Sequence, residues 1–240
     1  MTFLPKWILT MTFCTALSAQ AAPIFNLFEL GVQPAEKTEQ YHAVGLHNIT
    51  TSLAEESGTL AMYSAAQKDN PNLVYMFEIY ADDAAYQTHI QSPQYRAFLQ
   101  ASPSILTDHK KRILLEPQFL ADKKIEQRAE TINNLVIVEV KPEFNDAFKA
   151  LVLPEMAQSI KVESGVLAMY AATEKDQPNR WYFYEIYADE HAYQLHRRTP
   201  HFQEYLTKSA EMLQDKQAVP ITPNLLRNKG GLNFNVLETP

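Results

Sequence analysis

Apolar positions along this chain switch between a spacing of two and a spacing of three to four, and the switching runs through the same cycle twice. In the second cycle Leu135–Val140 is apolar and β-branched, which predicts a strand. Pro142 and Glu143 open a stretch in which Phe144, Ala147, Phe148, Leu151 and Val152 recur at helical spacing. Glu163-Ser164-Gly165 interrupts that helix, and Val166–Ala172 reads as a second strand. Lys175-Asp176-Gln177-Pro178-Asn179 is a turn by composition, so the aromatic strand Trp181–Tyr187 closes a hairpin. Asp189 stands where it can cap a second helix, which Pro200 kinks or restarts before it ends near Gln214. A last strand is expected near Val219–Leu226. The order is β-α-β-β-α-β, that of a ferredoxin-like unit with four antiparallel strands and both helices on one face.

Residues 56–99 and 163–206 align without a gap at an offset of 107, with 24 identities in 44 positions. That period is too long for a solenoid repeat and fits a duplicated small domain. Each sheet leaves one face uncovered, and two tandem copies can cover one another sheet against sheet. The expected division is a first domain over 22–120, a polar tether over 121–133, a second domain over 134–227 and a tail over 228–240.

The first 21 residues do not belong to this pattern. Lys6 is followed by an apolar run from Trp7 to Leu17 and then by Ala19-Gln20-Ala21. This is the layout of a secretory signal peptide, with cleavage expected after Ala21. The run is shorter than the roughly 20 residues that span a bilayer, so no stable membrane insertion is expected and the destination is periplasmic or secreted. Cleavage removes Cys14, the chain's one cysteine, and with it thiol catalysis and cysteine-ligated metals. With 21 Lys and Arg against 28 Asp and Glu, and no basic stripe, the chain is not expected to bind nucleic acid. Six glycines and no G-x-G-x-x-G motif leave little for phosphate-cradling loops.

Chemistry is concentrated in the repeated segments. Strand alternation puts Phe183, Glu185 and Tyr187 on one face and Tyr184 and Ile186 on the other. Glu78 and Tyr80 hold the matching positions in the first copy. A carboxyl among aromatic rings has its pKa raised by desolvation, or else it serves a salt bridge. His89 and His196 follow the capping aspartates by seven residues and share a helix face with Ala85 and Tyr86, or Ala192 and Tyr193. Each is either a general base looking into a pocket or a core histidine satisfied by a neighbour. One His and one Glu per copy make a poor ligand set, so no metal site is expected.

The motif E-x-G-x-L-x-x-Y, followed by E-I-Y-A-D-x-x-A-Y-x-x-H-x-x-[ST]-P-x-[FY], resembles the antibiotic biosynthesis monooxygenase family, and within it the quinol monooxygenases. Glu163, Gly165, Leu167 and Tyr170 carry the first block; Glu185, Ala192, His196, Thr199, Pro200, His201 and Phe202 carry the second. In the first copy the positions are Glu56, Gly58, Leu60, Tyr63, Glu78, Ala85, His89, Ser92, Pro93 and Tyr95. The resemblance implies α+β domains paired into a dimeric α+β barrel, here formed within one chain, so that a monomer with an internal pseudo-dimer suffices. It also implies oxygenation of a quinol or other electron-rich aromatic by dioxygen without a cofactor. Its heme-degrading branch carries a Trp ten residues before the histidine, where this chain has Ile79 and Ile186.

On that reading His89 and His196 are the bases, oriented by Glu78 and Glu185, and Tyr63, Tyr80, Tyr170 and Tyr187 hold the ring. Trp181, Phe183, Arg197 and His201 replace Val74, Met76, Ile90 and Gln94, so the second copy is expected to carry the more active pocket. The alternative is a ligand-binding or stress protein of the same fold, since fold does not determine function.

Overall fold

The computed structural model describes residues 22–34 and 36–236. The expected signal peptide and its cleavage site lie outside the described residues. In the first half β1 (Ile24–Val32) leads to α1 (Glu36–Glu55), the hairpin β2 (Thr59–Gln67) and β3 (Leu73–Tyr80), then α2 (Asp83–Ile90), α3 (Pro93–Ile105) and β4 (Leu106–Asp122). The second half repeats this with β5 (Ile132–Val140), α4 (Asn145–Val162), β6 (Val166–Glu174), β7 (Gln177–Tyr187), α5 (Glu190–His196), α6 (Pro200–Ser209), β8 (Leu213–Val219) and β9 (Ile221–Asn228). A short β10 (Asn233–Phe234) adds to β4.

The second helix of each copy restarts rather than kinks at its proline. Asp82 and Asp189 accept from the amides of Ala85 and Ala192 at 2.8 and 2.7 Å and start α2 and α5. Ser92 and Thr199 then cap α3 and α6, with Pro93 and Pro200 in the first helical turn, where a missing N–H costs nothing.

All ladders are antiparallel, and the strand order is β8-β5-β7-β6-β4-β1-β3-β2-β9. The strands of each half thus follow ferredoxin-like order. The closed barrel expected from the family resemblance is not formed. The hydrogen-bonded sheet is an open path whose end strands are β8 and β9, and no ladder joins those two. The physical reason is that they are successive stretches of one chain, parted by Pro220, and so meet end to end rather than side by side.

The halves are nevertheless interlocked. β4 pairs with β1 over its first part and with β6 over its second, while β9 leaves its own half to pair with β2. One apolar cluster, including Phe25, Tyr63, Phe77, Tyr170 and Tyr184, draws on both halves. Phe77 and Tyr184 stack there with ring centroids 3.8 Å apart. Two further clusters lie under the helices of each half.

Candidate functional site

The E-S-G tripeptide positions the histidine. A Cβ on Gly58 would lie 2.3 Å from the Cβ of Ala85, and one on Gly165 would lie 2.4 Å from that of Ala192. Glycine therefore lets α2 and α5 settle directly on the turn before the hairpin. One helical turn beyond the alanine, His89 and His196 are driven inward and are essentially fully buried. The preceding glutamate meets them there: His89 Nδ1 lies 3.1 Å from Glu56 Oε2, and His196 Nδ1 lies 3.1 Å from Glu163 Oε1. A carboxylate can only accept, so Nδ1 carries the proton and Nε2 of a neutral ring carries the lone pair. That Nε2 has no hydrogen-bond partner in either half.

The partner of each histidine is therefore Glu56 or Glu163. The expected orienting residues, Glu78 and Glu185, instead accept from Tyr80 and Tyr187, each at 2.8 Å. The sequence places Glu56 and Glu163 at the head of the family motif but gives no sign that they pair with the histidines. The identical E-S-G of the two copies reads there as a helix break.

In the first half Gln94 donates to Glu56 at 2.6 Å and to Ser52 at 3.2 Å, and Thr59 also donates to Glu56. Glu78 is buried on β3, and burial pushes its carboxyl pKa up; His89, the Tyr80 hydroxyl and Arg112 offset this only in part. Glu78 forms part of the wall of a cavity of about 400 Å³ between the sheet and helices α1 and α3. The rest of that wall is mainly apolar, including Phe28, Tyr41, Met76, Tyr95 and Phe98, with His42, Asn48, Ser64, Ser102, Lys110 and Asn224 as its polar members. Leu46 and Leu99 also line it and are half exposed, which puts them at its opening.

The second half keeps the histidine and changes its surroundings. Glu155 stands where the first half has Asn48, and His201 where it has Gln94. His201 Nε2 lies 2.8 Å from Glu163 Oε1, and Ser159 donates to Glu155 at 2.7 Å. Burial pushes the Glu155 carboxyl up to about 7. Burial alone would lower His196, but its hydrogen bond to Glu163 and the charges of Glu185 and Glu155 outweigh that and raise it. Burial likewise opposes ionisation of Glu163, yet the two imidazoles hold it below the usual carboxylate range. Among the described residues, Glu155, His196 and His201 form a group with the donors to hold a metal ion.

The cavity at Glu78 lies in the first half, whereas the more active pocket is expected in the second copy from the sequence. Trp181 and Phe183 do not form an open wall. They stack on one another and meet Phe148 edge-to-face in the core under α4, with Trp181 donating to Asn145 at 2.8 Å. Tyr63 and Tyr170 lie in the cluster shared by the halves, their hydroxyls 2.7 Å apart, and Tyr170 donates to Asp122 at 2.6 Å. Tyr80 and Tyr187 are buried against the His89 and His196 rings. Arg197 is exposed, over the Tyr193 ring.

The profile of the antibiotic biosynthesis monooxygenase family matches residues 23–101 and again residues 132–208. The chain belongs to that family. Membership carries an oxidoreductase activity of the monooxygenase kind. Two solved structures match over most of the chain and nearly all of their own length. A candidate monooxygenase from Lactobacillus acidophilus NCFM is 27% identical with a TM-score of 0.83, over 89% of this chain and 99% of its own. A candidate monooxygenase from Fusobacterium nucleatum gives the same identity and TM-score, over 89% of this chain and 98% of its own. An anthrone oxidase-like protein shares the fold at 12% identity and a TM-score of 0.51. No curated protein matches the sequence. Among the described residues, no helix is long and apolar enough to cross a membrane.

Proposed function

We propose that this chain is an exported, cofactor-independent monooxygenase of a hydroquinone or similarly electron-rich phenol, acting in the cavity of its first half. The observation that carries this is a buried carboxyl, Glu78, in the wall of an otherwise largely apolar cavity of about 400 Å³. An aromatic ring suits such a wall, and a desolvated carboxylate is a stronger base than one in water.

In this reading the Glu78 carboxylate takes a phenolic proton, and the ring anion passes electrons directly to dioxygen. Overall, one hydroquinone and one dioxygen give one hydroxyquinone and one water. The ring supplies all four electrons, one oxygen atom enters the ring and the other leaves as water. Tyr95 and Phe98 flank the ring, and the apolar wall keeps bulk water from the anion. His89 acts through Glu78: held by Glu56, it is the largest influence opposing the effect of burial on that carboxyl. It is a positioning residue.

Oxygen uptake by the purified chain against a panel of hydroquinones tests the proposal. One dioxygen per substrate is expected, with a product one oxygen heavier and two hydrogens lighter. Binding of such ligands with no oxygen consumption would make the chain a binding protein instead.

A further inference from the structure

The two halves preserve the same Glu–Ser–His arrangement, yet they differ in what surrounds the buried histidine. In the first half His89 has Asn48 and Gln94 at the positions that Glu155 and His201 occupy in the second. Amides are poor ligands for transition metals, whereas a carboxylate and an imidazole are good ones. The second half also gathers its donors: Glu155, His196 and His201 each offer a ligand atom, all within 4.8 Å of one another. Glu163 touches both rings, at 3.1 Å from His196 Nδ1 and 2.8 Å from His201 Nε2. His196 is 1% exposed and its Nε2 has no partner; His89 Nε2 is equally unpartnered, but only in the second half do a carboxylate and a second imidazole stand beside such an unsatisfied buried nitrogen.

We propose that the second half binds a divalent transition-metal ion of the zinc or ferrous-iron kind through Glu155, His196 and His201, with Glu163 as the carboxylate that orients both imidazoles. Two imidazoles and a carboxylate are a recurrent set for such ions, and a carboxylate behind a ligating histidine fixes its ring and raises its basicity. Bonds of about 2.1 Å in a tetrahedron hold ligand atoms about 3.4 Å apart, so the cluster tightens on binding. Two of the three ligands, Glu155 and His201, are residues that the halves do not share, and the site stands independently of the first-half cavity. Lengthwise reading of the sequence left Glu155 out of the ligand inventory because it lies on a different helix from either histidine.

The test is calorimetric titration of the metal-stripped full chain with Zn2+. One equivalent is expected to bind. The double variant Glu155→Asn/His201→Gln, which carries the first half's own residues at those positions, is expected to bind at least about 10–100-fold more weakly, with an unchanged circular dichroism spectrum. Should the double variant fold poorly, His201→Gln alone changes only a partly exposed side chain and carries the same expectation. Absence of tight binding by the unaltered chain would overturn the proposal. So would equal binding by the variants, which would assign the ion to exposed histidines such as His42 and His47.

Discussion

A carboxyl buried beside a cavity costs folding energy, and Glu78 shows that cost as a raised pKa. The sign follows from proton binding. The folded chain holds the Glu78 proton more tightly than the unfolded chain, whose carboxyl ionises near about 4.3. Stability tied to this group is therefore present at low pH and is lost as pH rises through the folded value. Glu78→Gln keeps an acceptor for the Tyr80 hydroxyl and removes the titration. It is expected to raise the melting temperature at pH 8 while changing it little at pH 5. Equal shifts at both pH values would show that burial does not tax this carboxyl.

The chemistry of single residues was legible where a side chain acts on its near neighbours in sequence, as the Asp82 and Asp189 caps do. It was not legible where the fold brings distant residues together. His89 and Glu56 are 33 residues apart, and only the seating of α2 on the Gly58 turn makes them a pair.

At the scale of elements, that seating depends on a missing side chain. Gly58→Ala would press a Cβ into that of Ala85, and overpacking of this kind costs about 1–3 kcal/mol. Denaturant unfolding is expected to show the loss, and Ala85→Gly added to it should restore most of the stability. If the double variant were no better than the single one, this contact would not govern the helix position. A second glycine plays the opposite part. Gly45 on α1 lines the cavity, a Cβ added to it would meet nothing within 4 Å, and the second half has Val152 there. Gly45→Val is expected to raise KM for a ring-sized substrate with little change in the melting temperature; an unchanged KM would place the substrate elsewhere.

Most strands and helices followed from periodicity, but the helix expected to end near Gln214 stops at Ser209 and gives way to β8 at Leu213. The aromatic side chains of β7 did not disclose their use, because a Trp or Phe at a strand position looks the same whether it lines a cavity or fills one. Here Phe148 on α4 decides the matter: it packs against both Trp181 and Phe183 and leaves them no open face.

For the whole molecule, duplication was written plainly in the repeat, and so was the need for each sheet to find cover. How the sheet ends was not. One strand was expected near Val219–Leu226, whereas the chain makes two, β8 on its own half and β9 on the other, with Pro220 between them. This exchange of strands satisfies within one chain the pairing that a separate copy would otherwise supply. Light scattering of the purified protein is expected to give the mass of one chain across a wide dilution range. An obligate dimer that unfolds on dilution would show that the interlocking of β4 and β9 is not sufficient.

The halves have diverged around their buried histidines, and the proposed reacting carboxyl is in the first. Oxygen uptake with the best hydroquinone, compared between Glu78→Gln and Glu185→Gln, tests it most directly. Loss of a general base costs about 10²–10⁴-fold in rate, and that loss is expected for Glu78→Gln alone, with Glu185→Gln close to the unaltered chain. Equal losses in the two variants, or a loss confined to Glu185→Gln, would contradict the account.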